Sequence, residues 1–152
     1  MAQFRFSLVE VLDYRKRIEE IRQREMSEVQ RNVEYLEDLI ERAKERRNEY
    51  RKELAEVAAQ GVTFARQQLY LNYLRGVDVL VRRSEEHLAE LRAELERRRQ
   101  RLAHAARERM VLDELRKEEL REYLTAERRA EDKEYGEIAI RSFRTTQREE
   151  NA

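Results

Sequence analysis

The chain is 152 residues long, and its charged residues (43%) outnumber its hydrophobic ones (40%), with no Pro and only 3 Gly to interrupt a helix. Its 33 basic and 33 acidic residues cancel, which argues against a general nucleic-acid binder, because such a protein needs a basic excess to displace counterions. Zero Cys excludes a disulfide framework and a thiolate metal site. Glu, Arg, Leu and Ala dominate and are good helix formers, so the composition predicts an all-α, extended chain.

The first element opens on an apolar cluster. Phe4, Phe6, Leu8, Val9, Val11, Leu12 and Tyr14 fall within "FRFSLVEVLDY", more apolar residues than a two-stranded coil can bury. Arg5 and Glu10 interrupt them, so no removable leader is expected, and no stretch approaches the ~20 apolar residues that span a bilayer. The expected compartment is the cytoplasm.

Helix 1 is predicted over about 5–60. Val29, Val33, Leu36, Ile40, Ala43, Arg47, Tyr50, Leu54 and Val57 alternate steps of four and three, the heptad seam of a coiled coil. Ile18 and Ile21 leave this frame, which predicts a stutter near Glu25. In "AAQGVTFARQQ", Gly61 reads as a helix C-cap and Thr63 as the next N-cap, with a turn over about 61–66.

Helix 2 is predicted over about 67–135, followed by a C-terminal segment over about 136–152. Its seam runs Tyr70, Leu74, Val77, Val81, Ser84, Leu88, Leu91, Leu95, Arg98, Leu102, Ala105, Arg109 and Leu112, one residue out of phase with the first frame. A reset of phase at the turn signals favours a single long antiparallel two-helix coiled-coil hairpin over 1–152, with both termini at one end and, as a stalk, monomeric; a straight helix with a local phase skip is the alternative. The expected register places Leu36 near Leu95, Tyr50 near Val81 and Leu12 near residues 115–120. Arg47 is then expected beside Ser84 and Glu85. Beyond Leu112 the apolar residues Leu115, Leu120, Tyr123 and Leu124 leave the frame.

Nothing in the chain carries catalytic chemistry. His87 and His104 do not share a helix face, and there is no HExxH, CxxC or Gly-rich phosphate loop. No enzyme activity, cofactor or metal is expected. The basic run "ERRRQRLAHAARERM" reads as a solvated helix face; nucleic-acid contact through Arg97, Arg98, Arg99 and Arg101 lacks nearby aromatic stacking partners. Leu69, Leu71 and Tyr73 lie outside the seam in "LYLNYLRG" and form a candidate contact patch, unless they wrap the turn.

Three stretches together carry a family resemblance. The opening "FRFSLVEVLDYRKRIEE" resembles the N-terminus of the flagellar export protein FliJ family, "QQLYLNYLRGVDVLV" resembles the start of that family's second helix, and "YGEIAIRSFR" resembles its C-terminal segment. The resemblance implies a small non-enzymatic component of flagellar type III export, a two-helix coil similar to the stalk of a rotary ATPase. It implies binding to the hexameric export ATPase, with promotion of its activity, and contact with the cytoplasmic domain of the export-gate membrane protein and with export chaperones. Such a protein works in the cytoplasm against the inner face of the membrane at the export gate.

On this reading Phe4, Phe6, Leu8 and Val11 join Ile138, Ile140 and Phe143 from the returning end as one apolar tip that enters the ATPase ring. Leu69, Leu71 and Tyr73 become the export-gate patch. Because the tip lies outside the seam, Phe4→Ser with Phe6→Ser is expected to leave melting almost unchanged. The alternative function is a structural coiled-coil spacer or homodimeric adaptor outside flagellar export.

Overall fold

A computed structural model describes residues 3–151. Two helices account for nearly all of them: α1, Val9–Ala59, and α2, Phe64–Glu150, packed together as an antiparallel hairpin. The single unit expected over 1–152 divides into two compact units: residues 18–105, and the start of α1 up to Arg17 with α2 from Ala106 onward.

In the unit over 18–105 the heptad seam is the core. Val33, Ile40, Val81, Leu88 and Leu95 are buried, with Met26, Val29, Leu36, Ala43, Val77 and Leu91 packed against them. Buried residues on α2 recur every seven positions, at Leu74, Val81, Leu88 and Leu95, as a 3.5-residue repeat requires when only one stripe meets a partner. Each such side chain contributes roughly 1.5–3 kcal/mol on burial. Among the described residues of this unit no buried side chain lies outside the seam, so helix pairing supplies this stability.

The turn is shorter and earlier than the sequence predicts. Gly61 takes a positive φ of 82°, and its N–H donates to the carbonyl of Ala58 at 3.3 Å, closing α1 as a left-handed cap. The Thr63 hydroxyl accepts from the Arg66 N–H at 3.4 Å and caps α2, which therefore begins at Phe64. Only residues 60–63 separate the two helices, and this moves the register. Tyr50 stacks on Tyr70 and Tyr73, at ring-centroid distances of 4.9 and 4.2 Å, rather than facing Val81. Arg47 bonds to Asp78 at 2.9 Å rather than sitting with Ser84 and Glu85, and Glu85 instead pairs with Lys44.

The predicted stutter near Glu25 is absent. Met26, Arg22, Glu19, Arg15 and Leu12 continue the Val29 frame in steps of three and four, and all five are buried or half-buried. Counting apolar residues misses this because Arg and Glu fill the seam with their aliphatic stems while their heads pair outside it. At this end of the 18–105 unit, Arg22 holds Glu25 at 2.9 Å, Arg98 reaches Glu25 at 3.1 Å and Glu94 at 2.6 Å, and Arg97 joins Glu94 at 2.7 Å. The hydrogen bond from Arg22 holds the Glu25 carboxyl below its ordinary range, and that from Arg98 does the same for Glu94.

In the second unit Phe6, Leu12 and Leu112 are buried together, with Phe4 and Val9 packed on them. Leu12 thus meets Leu112, short of the expected 115–120. Arg15 pairs with Glu108 at 2.5 Å. Beyond Leu112, Glu119 and Tyr123 carry the seam as half-buried residues, whereas Leu115, Leu120 and Leu124 are exposed. α2 then runs unbroken through Gly136, where an added Cβ would meet nothing, to Glu150. A glycine in an exposed helix interior costs about 1 kcal/mol against Ala, which the surrounding helix formers tolerate. The C-terminal segment expected over about 136–152 is thus a continuation of α2 as far as Glu150.

Candidate partner-binding surfaces

The N-terminal strap shapes the first surface. Residues 3–6 precede α1 without regular structure, and Ser7 begins the turn into it. The Ser7 backbone N–H donates to Glu119 Oε2 at 3.1 Å and its hydroxyl donates to Oε1. These two bonds, the hydroxyl's first, hold the Glu119 carboxyl below its ordinary range. Ser7 so anchored, Phe6 is folded inward to 4% exposure beside Leu12 at 1%. Phe4 lies half-buried against Tyr123, with ring centroids 5.6 Å apart.

This arrangement separates the seven expected tip residues. Phe4 and Phe6 belong to the packing of the second unit. Leu8 and Val11 are exposed, as are Val111 and Leu115 on α2, within a turn of buried Leu112. Ile138, Ile140 and Phe143 are also exposed, but not with them. The N-terminal residues Gln3, Phe4 and Arg5 share a recess with Glu119, Glu122, Tyr123 and Ala126. Ile138 lies twelve residues further along a continuous helix, about 18 Å at 1.5 Å per residue. The fold thus sets Ile138, Ile140 and Phe143 apart from the strap along α2, while Leu8 and Val11 on one helix and Val111 and Leu115 on the other are exposed.

A third surface lies next to the turn. Leu69 is 70% exposed, whereas Leu71 is half-buried and Tyr73 gives one side of its ring to Tyr50. Leu69, Tyr73, Gly76 and Leu80 follow steps of four, three and four along one face of α2, so the exposed stripe extends to Leu80, with Phe64 exposed nearby in sequence. Leu80 and Phe64 escape a reading that looks for apolar residues in the seam frame. The same heptad spacing, one residue out of phase, is the signal that finds Leu80.

Among the described residues no group of three or more His, Cys, Asp and Glu side chains is placed to hold a metal ion, and no helix is long and apolar enough to cross a membrane. Among known proteins, the sequence model of the family described as Flagellar FliJ protein matches residues 4–148, nearly the whole chain and all three surfaces. The chain belongs to the FliJ family. No curated protein and no solved structure matches it. As a FliJ-family protein it has a role in flagellar export. The matched span runs from Phe4, in the strap, to Arg148, near the end of the exposed helix.

Proposed function

We propose that this FliJ-family chain engages the hexameric export ATPase as a stalk and stimulates its hydrolysis, and that it meets the export gate and export chaperones through other faces. The observation that carries the reading is the apolar surplus of the second unit. Leu8, Val11, Val111 and Leu115 stay exposed beside a filled core on an otherwise highly charged chain. Exposed apolar side chains grouped on a charged surface mark interaction sites. Phe4 and Phe6 support this patch from beneath and act as positioning residues. The stripe of Leu69, Tyr73 and Leu80 is the face offered to the cytoplasmic domain of the gate protein, which puts the working protein at the inner face of the membrane.

The test is Leu8→Ser with Val11→Ser in the full chain. Both side chains are exposed, so melting should change little, while ATPase binding and stimulation should fall by roughly an order of magnitude, as when interface anchors are removed. A variant that still stimulates the ATPase normally removes this patch from the mechanism.

A further inference from the structure

The two helices begin differently. α2 is capped from its own sequence, the Thr63 hydroxyl accepting from the Arg66 N–H at 3.4 Å. In α1 the Leu12 N–H donates to the Leu8 carbonyl at 2.9 Å, which makes Leu8 the cap residue. A leucine side chain has no oxygen to accept from the unpaired N–H groups of a first turn. Ser7 carries one, but its hydroxyl is turned to Glu119 Oε1 while its N–H donates to Oε2. The start of α1 is thus tied to a carboxylate 112 residues away.

The strap lies along one stripe of α2. Gln3, Arg5 and Ser7 are exposed, while Phe4 is half-buried and Phe6 buried. That alternation puts both rings on one side, as in an extended segment. Phe6 packs with Leu112, Ser7 bonds to Glu119, and Phe4 lies against Tyr123 with ring centroids 5.6 Å apart. Leu112, Glu119 and Tyr123 are spaced by seven and four and share one face of α2.

These ties depend on one another. Ser7 makes two bonds to one carboxylate, and bonds of this kind are stronger than neutral ones because the acceptor is charged. They hold the strap in place just where Phe6 enters the cluster with Leu12 and Leu112. Once Ser7 leaves Glu119, Phe6 loses its anchor, and the first turn of α1 loses the packing that stands in for a side-chain cap. A helix end with neither cap nor packing frays. Residues 3–12 therefore leave α2 together, in a local opening easier than global unfolding. α2 keeps its own backbone ladder through this region and does not open with them.

We propose that residues 3–12 form a latch on α2, with Glu119 as its catch, that opens and closes in one step. Closed, it buries Phe6 and sets Leu8 and Val11 on a formed first turn of α1. Open, it uncovers Leu112 and Tyr123 and dissolves that turn. The closed form is the one that presents Leu8 and Val11 to the ATPase, which rests on the role proposed above for these two residues. A partner that binds only the closed form sees its apparent affinity reduced in proportion to the closed fraction. Glu119 is then a positioning residue for that contact.

The experiment is hydrogen exchange of the full chain, read by NMR at the Ser7 and Leu12 N–H groups, whose acceptors are Glu119 and the Leu8 carbonyl. In the wild type the two should show matching protection, below that of the seam amides of Val33 and Leu88. Glu119→Ala should lower the protection of the Leu12 N–H roughly tenfold or more, the effect of losing a hydrogen bond to a charged group, although its own acceptor at Leu8 is unchanged. The Val33 and Leu88 amides should not respond. The chain has zero Cys, so Ser7→Cys with Glu119→Cys can be bridged selectively by a short bifunctional thiol reagent. Bridging should restore both the Leu12 protection and the affinity for the ATPase, each reduced before bridging. Unchanged Leu12 protection in Glu119→Ala, unmatched protection of the two amides in the wild type, or a bridge that leaves Leu12 unprotected would each overturn the latch. A bridged chain with Leu12 protected that binds the ATPase no better than the unbridged one would overturn the closed form as the working one. If Leu8→Ser with Val11→Ser leaves the ATPase response intact, the patch itself fails, and the exchange result alone decides the latch.

Discussion

Replacement of Phe6 by Ala tests whether the N-terminal strap is core or contact surface. Phe6 is 4% exposed and packs with Leu12 and Leu112, with Phe4 and Val9 adding partial cover among the described residues. Removal of a buried Phe ring costs about 3–5 kcal/mol. The cluster is small, with three buried side chains among the described residues, so few neighbours hold the gap open, which places the expected loss near the lower end, about 3 kcal/mol. Leu8→Ala removes an exposed side chain from the same strap and should cost under about 1 kcal/mol. The assay is thermal melting with hydrogen exchange read by mass spectrometry. Phe6→Ala should raise exchange in residues 4–17 and 106–126 and leave the seam between Met26 and Leu95 unchanged, since distant sites act independently. Equal exchange for Phe6→Ala and Leu8→Ala would refute the assignment of Phe6 to the core. It would restore the expectation that the strap's aromatics are free for a partner.

Arg47 occupies a seam position with its Nε buried and unbonded, while Asp78 also has Arg51 at 3.6 Å. Arg47→Leu should therefore leave stability unchanged or raise it by roughly 1 kcal/mol, because a partly satisfied ion pair in a seam seldom outweighs an apolar residue of similar size; a clear fall in melting temperature would count against this account. Ser7→Ala removes both the hydroxyl bond to Glu119 and part of the strap's anchor. Since Glu119 is held below its ordinary range when folded, its contribution is complete above that range and is lost as pH falls through the lower folded value. The variant should thus melt below the wild type at neutral pH, and the gap should narrow as the medium is acidified; a gap independent of pH would assign the effect to something other than this carboxylate.

The heptad spacing determined the seam residue by residue. Positions from Val29 to Val57 on α1 and from Tyr70 to Leu112 on α2 are all buried or half-buried, because a helix with a 3.5-residue apolar repeat has only one stripe to hide. Gly61 and Thr63 likewise marked the ends of both helices, since a left-handed cap and a hydroxyl N-cap are local chemistry. The resemblance at residues 4–20, 67–81 and 135–144 reached the family for the same reason: it rests on short stretches of side chains. Register was decided only in three dimensions. A heptad pattern offers nearly equivalent alignments, and the tight turn over 60–63 chose the one that stacks Tyr50 on Tyr70 and Tyr73. So was the frame through Arg15, Glu19 and Arg22, whose stems bury where a count of apolar residues sees a gap. The fate of the opening aromatics was decided there too. In sequence Phe6 and Leu8 look alike, but Glu119, more than a hundred residues away, bonds Ser7 between them; Phe6 is buried and Leu8 exposed.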